Sequence, residues 1–86
     1  MKVLNRKTGE VLEAWQCEYI DDFDEVPEWV ELLVLNDDMF YATCSSEWIV
    51  AGIGYANNGD YLLRTLSDKL SIVKKEFFEK SYEVVE

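Results

Sequence analysis

The chain predicts an α+β fold, a small curled antiparallel β-sheet with one or two short helices. Three observations carry that expectation. Short runs rich in β-branched and aromatic residues alternate with turn chemistry along most of the chain. One segment alone shows a sustained helical spacing of apolar residues. The hydrophobic fraction of 49% and the aromatic fraction of 14% exclude a disordered acidic tail. Eighty-six residues make one domain, 1–86, without linkers, repeats or low-complexity stretches.

The first segment reads as a hairpin. Lys2–Asn5 is extended, Arg6–Gly9 is turn chemistry, and the strand resumes over Val11–Tyr19. Asp21-Asp22-Phe23-Asp24-Glu25 then forms an acidic loop, the densest charge cluster in the chain. Val26, Trp29, Val30, Leu33 and Val34 follow at i, i+3, i+4, i+7 and i+8, the stripe of a helix packed on one side. That predicts a helix over Pro27–Val34. Pro27 suits the first helical position, where its missing N–H would have no intrahelical partner. Asp24, Glu25 and Glu28 lie at the positive end of the helix dipole, and Asn36-Asp37-Asp38 ends the element. Strands are expected over Met39–Cys44, over Trp48–Gly52 with an extension toward Tyr55, and over Tyr61–Thr65. Asn57–Asp60 supplies positive-φ residues for a tight hairpin. A turn at Leu66–Lys69 leads to a strand at Leu70–Val73, a short helix over Lys74–Lys80, and an edge strand at Tyr82–Val85.

Charge is distributed one-sidedly. The net charge is -10, and between Arg6-Lys7 and Arg64 there is no lysine, arginine or histidine. Those 56 residues, 8 to 63, hold 13 carboxylates. A surface of one sign repels itself, favours basic protein surfaces, and disfavours DNA, RNA and anionic lipid as direct partners. A chain this short buries only about 60–65% of its unfolded surface. A thin core under self-repulsion leads us to expect a homodimer or stabilisation by a partner.

The segment Gly59-Asp60-Tyr61-Leu62-Leu63-Arg64, followed after a turn and strand by Lys74-Lys75-Glu76-Phe77-Phe78-Glu79-Lys80-Ser81-Tyr82-Glu83, resembles a small uncharacterised phage and prophage protein family. That family ends in Gly-Asp-Trp/Tyr-Ile-Ile and, after a turn, Lys-Pro-Asp-Ile-Phe-Glu-x-Thr-Tyr-Glu, with the same spacing. Val11-Leu12-Glu13-Ala14-Trp15-Gln16 is similar to its opening, and Pro27-Glu28-Trp29 to a Pro-x-Trp at its helix. Where the family has proline after the lysine, this chain has Lys75, which gives up a fixed helix start. The resemblance implies a mobile-element protein of the bacterial cytoplasm; small phage proteins outside the virion often act by binding and blocking a host machine. It brings no catalytic residues.

Nucleophilic catalysis needs a base beside the nucleophile, usually histidine, and the chain has none. Cys17 and Cys44 lack CxxC spacing, and no apolar leader precedes them. They read as reduced, mostly buried thiols in a cytoplasmic protein. No apolar run approaches the roughly 18 residues of a membrane span. The acidic loop lacks the alternating register of an EF-hand, and no cofactor is expected. Arg64, Lys69, Lys74, Lys75 and Lys80 read as internal neutralisers of the acidic body. Phe40-Tyr41 and Phe77-Phe78 put rings on successive positions, so one of each pair should face outward.

The expected function is non-enzymatic: a phage-type inhibitor that occupies a basic, nucleic-acid-binding surface on a host protein such as a CRISPR effector, a restriction enzyme or RNA polymerase. Asp21, Asp22, Asp24, Glu25, Glu28 and Glu31 would carry the contact, with Asp37 and Asp38 beside them. Two alternatives stand next to it. One is an oligomeric sponge that sequesters a nucleotide immune signal with the C-terminal cations and tyrosines. The other is an interaction or assembly module with no anti-host role.

Overall fold

The computed structural model describes residues 1–86 and is an α+β fold, as the residue pattern predicts. Its eight strands form two antiparallel sheets. β1 (Lys2–Asn5) and β2 (Val11–Gln16) make the expected hairpin, with Val3 opposite Leu12. With β6 (Tyr61–Arg64), β7 (Leu70–Val73) and β8 (Tyr82–Val84) they build a five-stranded sheet in the order β7-β6-β2-β1-β8. β3 (Met39–Ala42), β4 (Glu47–Val50) and β5 (Gly54–Asn57) form a separate three-stranded meander.

Two helices complete the fold. α1 spans Glu28–Leu35 and α2 spans Lys75–Ser81. The five-stranded sheet lies between them. On one face Trp15 and Leu62 pack with Cys17 against Val30 of α1 and against Met39, Trp48, Val50 and Ala56 of the meander. Trp15 and Trp48 meet edge to face with centroids 6.0 Å apart, joining the two sheets. On the other face Val3, Leu12, Ala14 and Leu63 receive Phe78 of α2. The Phe78 ring is stacked between Tyr61 at 3.6 Å and Tyr82 at 5.3 Å. Alternation along β2 explains both cores: Leu12 and Ala14 point to α2, while Trp15 and Cys17 lie in the core shared with α1 and the meander. The Cα radius of gyration is 12.4 Å, close to the roughly 12 Å expected for this length. No helix is long and apolar enough to cross a membrane.

Several boundaries differ from the sequence reading, each for a local reason. β2 stops at Gln16 rather than Tyr19: the Cys17 amide makes a last bond to the Asp60 carbonyl at 2.7 Å, while the Asp60 amide turns away to the Asn57 carbonyl at 3.0 Å. Pro27 is the N-cap of α1, not its first residue; its carbonyl accepts from the Val30 and Glu31 amides. The run Trp48–Tyr55 is two strands. Gly52, at φ +76, turns the chain, and Ile53 donates back to the Val50 carbonyl at 3.0 Å. Asn57–Asp60 is not a hairpin within one sheet; it carries the chain from the meander into the five-stranded sheet. Of the two free thiols only Cys17 is buried, while Cys44 is exposed on the β3–β4 turn.

Candidate acidic interface

The acidic segment is held in shape by groups on either side of it. Trp48 Nε1 donates to the Glu18 carbonyl at 2.7 Å, and the Gly59 amide donates to the Cys17 carbonyl at 2.8 Å. Tyr19 lies edge to face on Tyr41 at 5.1 Å, and Ile20 packs on the core. Asp22 then caps a single 3-10 turn, Phe23–Glu25, its carboxylate accepting from the Asp24 amide at 2.9 Å. Val26 returns to the core, and Pro27 starts α1.

α1 forms because its apolar stripe has a surface to cover. Val30 is fully buried, and Trp29, Leu33 and Val34 pack on the core around it. Glu28 and Glu31 occupy the first turn, where the exposed amides favour negative charge. At the other end the Asp37 backbone takes a positive φ of 61°, and the Asp38 amide closes onto the Leu33 carbonyl. The Asp38 carbonyl in turn accepts from the Ala51 amide.

All eight predicted carboxylates therefore lie on α1 or within seven residues of its ends. Asp21, Asp22, Asp24, Glu25, Glu28, Asp37 and Asp38 are exposed, and Glu31 is half-buried. Neither of the two ion pairs in the protein, Arg64–Asp68 and Lys74–Asp60, involves any of them. Asp21, Asp22 and Glu25 share a shallow cleft of about 160 Å³ with Glu18, over the side chains of Tyr19, Ile20 and Val26. Asp38 and Glu28 border two other clefts, which Trp29 and Leu32 of α1 help to line. Asp24, Glu31 and Asp37 line none. No three acidic or thiol side chains converge closely enough to ligate a metal ion.

Of the five C-terminal cations expected to neutralise carboxylates internally, Arg64 and Lys74 do so, and Lys69, Lys75 and Lys80 form no ion pair. Arg64 holds Asp68 at 3.0 Å while its guanidinium lies 5.3 Å over the Trp29 ring. Lys74 reaches Asp60 at 3.2 Å. Asp60, read from the sequence as part of an ordinary turn, is the one buried charged residue. Its carboxylate accepts from the Asn57 amide, the Lys75 amide and Lys74 Nζ. The Lys75 N–H, which a proline would have lacked, is thereby satisfied at the start of α2.

Thiol chemistry has no purchase at Cys17. Burial, with the Asp60 charge adding to it, pushes the thiol up to about 12, so the nucleophilic thiolate is suppressed. As expected, the paired rings split: Phe40 and Phe77 face out, while Phe78 is buried and Tyr41 turns toward Tyr19 and Trp48. The cleft of Trp29, Leu32, Arg64 and Leu70 was not singled out from the sequence. The only local signal for it is that Arg64 is the first cation after the 56-residue basic-free window.

No protein-family profile matches the chain, and neither characterised proteins nor solved structures yield a match.

Proposed function

We propose that this chain is a non-enzymatic, phage-type inhibitor whose acidic face occupies a basic, nucleic-acid-binding surface on a host protein, such as a CRISPR effector, a restriction enzyme or RNA polymerase. The observation that carries the reading is the set of eight carboxylates on and around α1, none of them ion-paired. An unpaired carboxylate on an ordered element presents its charge to a partner without first breaking an internal contact. α1 has eight residues, so it is about 12 Å long. Duplex DNA carries about seven phosphates over that length. Glu28 and Glu31 stand on that length and the other six carboxylates on the segments at its ends, so the array can engage the lysines and arginines that otherwise hold phosphates. The ordered 3-10 turn and the helix fix part of the array in advance, which lowers the entropy lost on binding.

The test is a tagged capture from bacterial lysate with a salt step, followed by competition of the captured protein against labelled duplex DNA. A nucleic-acid-binding protein that elutes with salt, and whose DNA binding this chain blocks, supports the reading. The triple variant Asp21→Lys, Asp22→Lys, Asp24→Lys should abolish the block. If inhibition survives that change, the mimicry reading fails.

One observation favours an interaction or assembly module as the second reading. Register places Phe40, Ile49 and Tyr55 in one cross-strand row on the uncovered face of the meander, with Phe40 54% and Tyr55 67% exposed. Sedimentation across a wide concentration range tests it, with self-association lost in Phe40→Ser. The nucleotide-sponge alternative draws no support from the clefts, none of which is lined by a lysine.

A further inference from the structure

The largest cleft lies between α1 and the β6–β7 turn and has a volume of about 400 Å³. Trp29, Leu32 and Leu70 give it apolar walls. A shallower cleft of about 270 Å³ shares Trp29, Leu32 and Arg64 with it and adds Glu28.

Three independent features point to an occupant. Leu32 is 48% exposed on a helix whose other apolar residues mostly turn inward, so the wall is unfilled. The rim is acidic: Glu28, Asp38 and Asp68 border the two clefts, and the one cation among them, Arg64, is already paired with Asp68. Finally, Trp29 Nε1 and Arg64 Nε are the only buried side-chain donors in the protein with no acceptor. Folded proteins leave few such groups unpaired. An anionic occupant would face Glu28 and Asp38, which have no ion-pair partner, and a neutral one would gain nothing from them.

We propose that this cleft takes an apolar side chain from a basic, extended peptide segment of the partner. The lysines or arginines flanking that side chain meet Glu28, Asp38 and Asp68. A backbone carbonyl of the segment accepts from Trp29 Nε1 as the Arg64 guanidinium moves aside from the ring. The inference rests on the proposed function for the sign of the partner's charge. It adds an anchor that supplies sequence preference, which charge alone does not.

The test titrates the intact protein with two synthetic peptides of equal charge, an oligolysine and the same peptide with a phenylalanine at its centre. Affinity is measured by calorimetry at fixed salt, and the three indole N–H signals are followed by NMR. The phenylalanine peptide should bind at least about tenfold tighter, from burial of one ring. It should move the Trp29 indole signal while that of Trp48, bonded to the Glu18 carbonyl, stays in place. Leu32→Ser, at an exposed position that folding tolerates, should erase the gain and leave oligolysine binding unchanged. Reversing Asp21, Asp22 and Asp24 to lysine should weaken both peptides alike and keep their ratio. Equal affinity of the two peptides, or a still Trp29 signal, overturns the anchor and leaves the acidic-face reading intact. Failure of both peptides to bind overturns the two together.

Discussion

Replacing Asp60 with alanine should remove a large part of the folding free energy, although the residue sits in a turn. One carboxylate oxygen accepts from the Asn57 amide at 3.1 Å and from Lys74 Nζ at 3.2 Å, and the other accepts from the Lys75 amide at 3.3 Å. Lys74 is 63% exposed, so that ion pair contributes at most about 1 kcal/mol. The two amides matter more, because each loses a charged acceptor in a part-buried site at about 1.5–3 kcal/mol. Taking the lower half of that range for bonds this long and adding the ion pair, Asp60→Ala should cost about 3–5 kcal/mol. A chain of 86 residues has about 4–13 kcal/mol in total. Asp60→Asn keeps one acceptor oxygen but turns an NH₂ toward the remaining donors, and should cost about 1–2 kcal/mol. Lys74→Ala should cost under about 1 kcal/mol. Urea unfolding followed by the fluorescence of the buried Trp15 and Trp48 measures all three. Asp60→Ala within about 0.5 kcal/mol of the parent would refute the reasoning. So would Lys74→Ala costing as much as Asp60→Ala, since the ion pair and not the amides would then be the main contribution.

Four further outcomes are expected. Cys44 alone should react with a disulfide reagent in the native protein, and Cys17 only after unfolding, as counted by the thiolate released. The folded state holds the Cys17 proton up to about 12 while an unfolded thiol loses it near 9.0, so the unfolded state binds fewer protons in that window. Stability should therefore fall as pH rises through it, and Cys17→Ala should flatten the fall; matching urea midpoints for parent and variant would contradict this. Tyr61, raised by burial and then by the Glu79 charge, has the same sign. Gly59→Ala should cost about 1–2 kcal/mol from backbone strain alone, because φ is +98 and the added Cβ meets only Lys75 Cδ at 3.9 Å. Added sodium chloride should raise the melting temperature by screening a net charge of -10, and a falling melting temperature would show that self-repulsion is not the dominant long-range term.

What was legible in the residue pattern was whatever depends on near neighbours. The spacing of Val26, Trp29, Val30, Leu33 and Val34 placed α1 and its inward face to within a residue at each end. Adjacent rings at 40–41 and 77–78 announced that one of each would face out, because successive strand residues point opposite ways and successive helical residues lie about 100° apart. The eight carboxylates were visible as a charge field, and the fold ordered them around one helix. The split of 48–55 into two strands was not visible. A continuous apolar run has no period to interrupt, and Gly52 and Gly54 signal a turn only once β3 and β5 are known to pair on opposite edges of β4.

By itself the sequence determined the α+β class, the place of α1, the single sign of the charged side chains from residue 8 to 63, and the absence of histidine-based chemistry. Those properties follow from local periodicity and from composition, which folding cannot change. Tertiary structure alone decided that β5 and β6 belong to different sheets, that Asp60 is buried among donors, and that Cys17 is hidden while Cys44 is exposed. It also brought Arg64 over Trp29, 35 positions away in the chain, and opened a cleft beside them. The physical reason is common to all four. Each depends on which distant strand or helix lies alongside, and that is set by the sum of core contacts across the whole chain rather than by any one segment.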